Sequence, residues 1–571
     1  MPENVMTPDS FQKRRWIEAT TLGDLLDRRA YEQPERVALT FPDHTLSYAE
    51  LATRAEYFAK GLIGLAVQPG DPIGILLNNS PDSIAALFGA AKIGAIPVPI
   101  NARFKGYELT QVIQHSQIRV LITEFGSSGA PNFPDLLVDT LPSLGQAENA
   151  SGPLALPEAP SLAHVVLLGE QNRPGFTSES RFSELATATN PTSVAERQVR
   201  VRVRDTAIVM YTSGTTASPK GAMISHEAFT RFAAATVHER FGLTPEDRIW
   251  TALPLFHIGG IAFAIAAIYS GGAYIHTGFF NPTAALDQLE SERCTVALPG
   301  FETIWLPVVN HPDFTHRDLS ALRLVMAVGV PERLRDMAQR LPHAIQVACF
   351  GMTEAASFLS LNQLSDSLEQ RVTTGGHPLP GMECRVIEPT SGQDAPANAE
   401  GELLFRGSNC FDGYFNDPEL TARSFDKDGW FHTGDVATMD EDGRVTFVSR
   451  LKDMLKVGGE NVSAAEVEGY LLLHPAVHIA QVVGVADDYY VEVPTAFIEL
   501  KPGATATEQE IIEFCLGKIA TYRVPRYVRF LTEWPMSGTK IKKYVLRERI
   551  GEELKAKGIT RAPKLRSTSP G

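Results

Sequence analysis

The chain contains 571 residues, 44% of them hydrophobic and 21% charged, which is typical of a folded protein with a large core. This composition excludes intrinsic disorder as the main state, and the length predicts more than one folding unit. A formal net charge of −15 argues against a dedicated nucleic-acid-binding protein.

Strand-like and helix-like runs alternate along most of the chain. The run DPIGILLNN at 71–79 predicts a strand, SIAALFGAAKIGA at 83–95 a helix, and PVPIN at 97–101 a second strand. This βαβ pattern predicts an α/β fold with mostly parallel sheets flanked by helices. Two stretches rich in Gly, Pro, Ser and Asn, 126–163 and 170–198, are interpreted as surface excursions, because the sheet pattern resumes at TAIVMYT.

The longest uncharged segment, residues 258–275, is at the lower limit of a membrane span. Its two Gly-Gly pairs favour a buried helix that ends at Gly271–Gly272 and is followed by a buried strand. We therefore expect no transmembrane segment.

Cysteine usage and the first residues indicate a compartment. The five cysteines lie far apart without a CxxC pair, which argues against a disulfide framework or a structural zinc site and fits a reducing cytosol. The first twenty residues lack the apolar segment of a secretory signal. We therefore expect a cytoplasmic protein. A homodimer is compatible with the sequence.

A loop suited to phosphate follows the strand that ends in MYT. TSGTTASPKG, residues 212–221, supplies unhindered backbone N–H groups, hydroxyl donors and one cation. It is not a Walker A motif, because Pro219 and Gly221 stand where that motif needs Gly and Ser/Thr. The candidate phosphate-binding residues are Thr212, Ser213, Gly214, Thr215, Thr216 and Lys220.

This loop, read as YTSGTTASPKGAM, resembles the signature of the adenylate-forming superfamily of acyl-CoA synthetases, adenylation domains and luciferases, with Ala217 where Gly is usual. The resemblance covers nearly the whole chain. It implies that ATP, Mg²⁺ and coenzyme A are used to convert a carboxylate to an acyl-CoA. It also implies a large N-terminal domain (1–450) and a small mobile α+β C-terminal lid domain (451–571) hinged at Lys452. The basic composition of the last residues predicts a disordered tail from about residue 560.

The segment CFGMTEA, residues 349–355, places a carboxylate beside a hydroxyl, a pair that suits Mg²⁺ shared with phosphate oxygens. By resemblance, Thr353 contacts the α-phosphate, Glu354 holds Mg²⁺, and Phe350 stacks on adenine where Tyr is usual. Gly351 and Met352, between them, are further nucleotide-binding candidates.

The most specific stretch is 428–468. The carboxylate of Asp435, in TGD, can accept two hydrogen bonds from a ribose diol, and Arg450 follows after a predicted hairpin with DEDG at its turn. By resemblance, Arg450 binds the ribose, and Lys456 and Gly459 belong to a segment that rotates into the site for the thioester step. A glycine is needed where a pantetheine arm passes close to the backbone.

A catalytic lysine is expected in PMSGTKIKKYVLRE, residues 535–548, which resembles the family's C-terminal catalytic loop. The stretch is one residue shorter than the usual pattern, and Thr539 replaces its glycine. We choose Lys540, because IKK followed by an aromatic matches the family, and Lys542 is the alternative.

By resemblance, LPLFHIGG borders the acyl pocket and His257 lines it. AVGVPE resembles the family's strand end on the other face of adenine, and its Gly329 is a further pocket candidate. Amino-acid-activating members of the resembled family place an aspartate in this region to pair with the substrate ammonium. None occurs from 251 to 277, which disfavours an amino-acid substrate. The apolar neighbours favour a hydrophobic, fatty monocarboxylate. Aryl, alicyclic or steroid side-chain acids, and a carrier protein in place of coenzyme A, remain alternatives.

Overall fold

The computed structural model describes residues 19–126, 132–147, 152–212, 220–451, 454–457, 460–516, 518–519, 521–537 and 540–565. The described parts of the chain form two compact units. The first is drawn from Met1–Thr212, Ser218–Glu383 and Arg406–Arg423, and the second from Cys384–Phe405 and Ser424–Gly571.

The helices are α1 Leu22–Glu32, α2 Tyr48–Gly64, α3 Pro81–Lys92, α4 Gly106–Ser116, α5 Phe133–Thr140, α6 Pro142–Gln146, α7 Glu179–Ala188, α8 Ser193–Gln198, α9 His226–Ala234, α10 Ile258–Ser270, α11 Pro282–Ser291, α12 Glu302–Val309, α13 Pro331–Arg340, α14 Leu368–Thr373, α15 Pro418–Ser424, α16 Ala464–Leu471, α17 Glu508–Cys515 and α18 Lys543–Ala556. A π-helical stretch, Ala235–Phe241, continues α9, and short 3₁₀ turns occupy Phe314–His316, Thr353–Ala355 and Thr521–Arg523.

The strands are β1 Val37–Phe41, β2 His44–Ser47, β3 Pro72–Leu76, β4 Ile96–Pro99, β5 Val120–Glu124, β6 His164–Leu168, β7 Thr177–Ser178, β8 Thr206–Thr212, β9 Lys220–Ser225, β10 Arg248–Thr251, β11 Ala273–His276, β12 Val296–Phe301, β13 Leu324–Val328, β14 Ile345–Val347, β15 Cys349–Met352, β16 Ser357–Leu361, β17 His377–Pro378, β18 Met382–Ile387, β19 Gly401–Gly407, β20 Gly413–Tyr414, β21 Phe431–Met439, β22 Val445–Arg450, β23 Met454–Val457, β24 Glu460–Ser463, β25 Val477–Asp487, β26 Val491–Leu500, β27 Tyr527–Phe530, β28 Met536–Ser537 and β29 Lys540–Ile541.

Two largely parallel sheets form the frame of the first unit. The larger has the order β14-β13-β12-β10-β11-β1-β2 and is parallel except for β2, and the smaller has the order β4-β3-β5-β6-β7. Strands such as β6, buried at every position, are the near-continuous apolar runs that parallel sheets require. The expected α/β class is confirmed.

Two small antiparallel sheets complete the first unit. One has the order β20-β9-β8 and the other β15-β16-β17. Phe358 of β16 packs against Phe232, Phe241 and Phe263, with ring centroids 5.4–6.1 Å apart. This aromatic cluster anchors β16 in the core and so fixes the turn that precedes the strand.

The segment 258–275 is the buried helix and strand that the sequence predicts. Every residue of α10 is buried, Gly271 ends the helix with φ +79°, and β11 is buried throughout. A left-handed residue at this position favours glycine. Among the residues that the structure describes, no helix is long and apolar enough to cross a membrane. Neither stretch that was predicted to be a surface excursion is a plain one. The stretch 170–198 contains β7, α7 and α8, and the described part of 126–163 contains α5 and α6, with Phe133 and Leu137 in the core.

The second unit contains a four-stranded sheet, β18-β19-β21-β22, and a five-stranded sheet in which β27 pairs with β26 beside the order β24-β23-β26-β25. Val482 belongs to a core with residues of α16 and α17, whereas its neighbour Val483 packs with residues of α18. Because successive strand residues point to opposite faces, helices cover both faces of this sheet.

Candidate functional site

A buried carboxylate lies in the 3₁₀ turn between β15 and β16. The side chain of Glu354 accepts a hydrogen bond of 2.9 Å from the Tyr414 hydroxyl, and its backbone carbonyl accepts one of 2.9 Å from Phe411 N–H. Glu354 is 8% exposed and Tyr414 6%. The turn ends in two non-glycine residues with positive φ, Ala356 (+53°) and Ser357 (+121°). Such conformations are costly and persist where the surrounding structure enforces them.

The cation of the phosphate loop lies beside the same tyrosine. Lys220 begins β9, and its Nζ is 5.6 Å from the centroid of the Tyr414 ring, within the range of a cation–π interaction. Lys220, Tyr414 and Glu354 therefore form one cluster in the first unit. A lysine and a carboxylate held by one aromatic side chain can face a polyphosphate and its cation together.

The segment around Glu354 keeps its backbone close to the next strand. Phe350 is 9% exposed on β15, and Thr353 begins the 3₁₀ turn. A Cβ at Gly351 would lie 2.1 Å from the carbonyl oxygen of Ser357, so only glycine fits this close approach of β15 and β16. Met352, on β15, is half-buried.

A second cluster, in the second unit, contains the predicted ribose-binding pair. Asp435 on β21 lies directly opposite Arg450 on β22, and Arg450 Nε is 2.9 Å from Asp435 Oδ1. The carboxylate is 1% exposed and the guanidinium side chain 40%. The hairpin turns at Asp440–Gly443, where Gly443 N–H donates to Asp440 O at 3.0 Å. The DEDG turn thus brings the two side chains together, as the sequence predicts.

The predicted acyl-pocket residues lie at the carboxyl ends of parallel strands and at the start of α10. His257 caps α10, its Nδ1 accepting from Gly259 N–H at 3.1 Å, and its ring packs edge-on against Phe301 at 6.0 Å. When neutral, this imidazole therefore carries its proton on Nε2.

The glycine of AVGVPE faces a charged side chain. A Cβ at Gly329 would lie 2.4 Å from Glu302 Oε2, and Arg333 donates to Glu302 Oε1 at 2.6 Å. Sequence reasoning missed Glu302 and Arg333, because an acid in the first turn of a helix is an ordinary dipole partner. The pocket candidates are therefore not wholly apolar.

Some of the predicted site residues are described only in part or lie outside the described residues. Lys456 lies on β23 opposite Asn461, and Lys540 lies on β29 opposite Ser537; the structure describes their backbones only. The alternative lysine, Lys542, precedes α18. The predicted residues Ser213, Gly214, Thr215, Thr216, Lys452 and Gly459 lie outside the described residues, whereas Thr212 ends β8.

Tyr414 was also missed, since no spacing rule connects it with a residue sixty positions earlier. Cys410 is another candidate for a reactive group in this region. Burial is the main cause that raises the pKa of its thiol to about 12, and the negative charges of Asp412 and Glu354 add to it. A thiol held in its protonated form is not a nucleophile. We therefore assign Cys410 no catalytic part.

Within the described ranges, no cluster of three or more His, Cys, Asp or Glu side chains could hold a metal ion. One buried carboxylate that shares the contact residue Tyr414 with the predicted phosphate-binding Lys220 nevertheless fits Mg²⁺, which proteins bind through one or two carboxylates plus substrate phosphates. Glu354 is the residue that would hold it.

The chain is similar to known proteins over most of its length. The profile described as AMP-binding enzyme matches residues 26–415, and that of the AMP-binding enzyme C-terminal domain matches residues 466–543. A Rhodococcus jostii CoA ligase acting on a 7a-methyl-1,5-dioxo-octahydro-inden-4-yl propanoyl group is 33% identical over 93% of this chain and 99% of its own. The human mitochondrial medium-chain acyl-CoA ligase ACSF2 is 31% identical over 95% of this chain and 89% of its own.

Among solved structures, the anthranilate CoA ligase AuaEII in complex with anthranoyl-AMP aligns with a TM-score of 0.82. The alignment covers 94% of this chain and 98% of that one at 26% identity.

Proposed function

Because the chain belongs to the AMP-binding enzyme family, matched by the profiles of both its domains, we propose that it converts a hydrophobic carboxylate to an acyl-CoA. Its curated relatives are CoA ligases, and the protein is an AMP-forming acid–thiol ligase. The observation that carries the proposal is the cluster of Lys220, Tyr414 and Glu354.

The first half-reaction joins two anions. A carboxylate oxygen attacks the α-phosphorus of ATP, the bond from that phosphorus to the bridging oxygen breaks, and pyrophosphate leaves with its electrons. Lys220 and Lys540 supply positive charge where negative charge accumulates, and Thr353 donates to the α-phosphate. Glu354 would hold Mg²⁺, which would neutralise phosphate charge there.

The nucleoside end of ATP is held by other residues. Phe350 offers a ring face to adenine, and Gly351 and Met352 are further nucleotide-binding candidates on the same strand, β15. Asp435 accepts hydrogen bonds from the ribose hydroxyls, and Arg450, opposite it on β22, holds that carboxylate and binds the ribose in turn.

The second half-reaction uses coenzyme A. The thiol sulfur attacks the acyl carbonyl, the bond to the AMP oxygen breaks, and the thiol proton is lost to solvent. We propose that Lys456 and Gly459 line the path of the pantetheine arm, with Lys452 as the hinge of a domain boundary at residues 450–451. Gly459→Leu should block thioester formation from supplied acyl-AMP while ATP–pyrophosphate exchange continues. Gly469→Leu is the control, because a Cβ at Gly469 meets no atom within 4 Å.

The acid itself is proposed to be a medium-chain fatty acid, because the segment LPLFHIGG around His257 is mostly apolar and because the relative ACSF2 is a medium-chain acyl-CoA ligase. An alicyclic or aryl acid is the alternative, favoured by the ring-bearing substrates of the other two relatives and by the polar Glu302–Arg333 pair beside Gly329. A cytoplasmic location, proposed from the unpaired cysteines, rests on composition alone.

ATP–pyrophosphate exchange over fatty, alicyclic and aryl acids tests the proposal, followed by addition of coenzyme A or a carrier protein. Exchange with fatty acids and release of their CoA thioesters is the expected result. Exchange confined to ring-bearing acids would support the alternative substrate class. Acyl transfer to the carrier protein but not to coenzyme A would show that the carrier protein is the acceptor. No exchange with any acid would contradict the function.

A further inference from the structure

Tyr414 lies where two segments distant in sequence meet in the first unit. β20 pairs with β9, so that Tyr414 lies opposite Ala222, two residues after Lys220. The backbone of Tyr414 is fixed independently, since its N–H donates to Thr421 Oγ1 at 2.8 Å. Its ring packs edge-on against Phe411 at 4.9 Å. A side chain held at backbone and ring has little freedom to reorient.

The hydroxyl of this side chain contacts a residue that the proposed function uses. It donates to Glu354 Oε1 at 2.9 Å in a buried setting. Phe411 N–H, three residues before Tyr414, also donates to the backbone carbonyl of Glu354. The segment 411–414 thus holds the turn by its main chain and the carboxylate by its side chain.

The ring of the same residue serves a different partner, with Lys220 Nζ 5.6 Å from its centroid. One side chain therefore contacts both the anion and the cation of the cluster through two separable groups. Removing the hydroxyl should remove the hydrogen bond to Glu354 and keep the ring beside Lys220, while removing the ring should remove both contacts.

We propose that Tyr414 is a positioning residue that orients Glu354 and Lys220 for the phosphates of metal-bound ATP. It acts through its hydroxyl on the carboxylate and through its ring on the ammonium group. This inference rests on the proposed function. The test measures ATP binding in the absence of a carboxylate substrate. Its result is therefore informative even if no acid supports pyrophosphate exchange.

The experiment compares ATP binding to the full chain by titration calorimetry, with Mg²⁺ and with EDTA. Tyr414→Phe should weaken MgATP binding about ten-fold, the effect of losing a hydrogen bond to a charged group, and leave metal-free ATP binding unchanged. Tyr414→Leu should also weaken metal-free ATP binding, by about two- to five-fold, since it removes the ring beside Lys220. The Mg²⁺ concentration for half-maximal binding should rise in both variants.

Tyr48→Phe is the matched control, because it deletes another buried tyrosine hydroxyl, which donates to Gly272 O at 2.7 Å. It should lower thermal stability comparably and leave the Mg²⁺ dependence unchanged. The effect of Tyr414→Phe should also disappear in a Glu354→Gln background. Wild-type MgATP affinity in Tyr414→Phe, or an equal loss with and without Mg²⁺, would overturn the proposal.

Discussion

Replacing Gly329 by alanine tests whether the pocket wall is as crowded as its geometry indicates. The new Cβ would lie 2.4 Å from Glu302 Oε2 and 3.2 Å from Glu302 Cβ, so the carboxylate must move by about 1 Å to reach ordinary contact. Its bond of 2.6 Å to Arg333 cannot survive that shift unchanged. Relief of the steric clash in the variant therefore weakens the ion pair between Glu302 and Arg333.

The expected cost follows from the partners. The side chains of Arg333 and Glu302 are 27% and 18% exposed, so the pair contributes about 1–2 kcal/mol rather than the larger value of a fully buried one. Gly329 does not have positive φ, and alanine recovers about 0.5 kcal/mol by restricting the unfolded chain. A net loss of about 1 kcal/mol is expected.

Equilibrium denaturation of Gly329→Ala in two backgrounds measures this loss. In a Glu302→Ala background the clash is absent, and Gly329→Ala should be neutral or slightly stabilising. Gly152→Ala, at a position with no atom within 4 Å of the added Cβ, is the control. An equal cost of Gly329→Ala in both backgrounds would refute the reasoning. The Michaelis constant for the acid should rise only where Glu302 is present.

Lys540→Ala should reduce acyl-AMP formation on the order of 10²–10³-fold while sparing thioester formation from supplied acyl-AMP, and equal loss of both steps would show that another lysine acts. Asp435→Asn should weaken ATP binding about ten-fold in calorimetry, because the amide neither accepts both ribose hydroxyls nor pairs with Arg450; unchanged affinity would contradict a ribose-binding part. Burial lowers the pKa of His226 from 6.5 to about 4. Between these pH values the unfolded chain therefore binds one more proton than the folded chain. Acidification from pH 7 to 4 should lower the free energy of unfolding by up to about 3 kcal/mol. His226→Asn should flatten that loss in denaturation curves, whereas the same change at exposed His316 should not.

The elements that the sequence predicts well are those with local causes. Helix α10 follows from an uncharged run closed by Gly271, and the meeting of Asp435 and Arg450 follows from a hairpin whose turn sets the register. In each, the information lies within about twenty residues. Tyr414 could not be found this way, because the pairing of β20 with β9 joins residues nearly two hundred positions apart.

The polarity of the pocket wall was missed for a related reason. Glu302 looks like an acid placed to favour a helix N-terminus, and only the parallel pairing of β12 with β13 brings it to Gly329. Local chemistry therefore predicts which residue types are present, and strand pairing decides which of them become neighbours.

The route of the chain constrains how the first unit is made during synthesis. The chain leaves that unit after Glu383, returns at Arg406 and leaves again after Arg423. A nascent chain that has emerged only to residue 383 contains Glu354 but lacks β20, so β9 has an unpaired edge and the buried carboxylate has no tyrosine. The first unit therefore cannot be completed on the ribosome until Tyr414 has emerged. Residues 384–405, which belong to the second unit, are synthesised before that point.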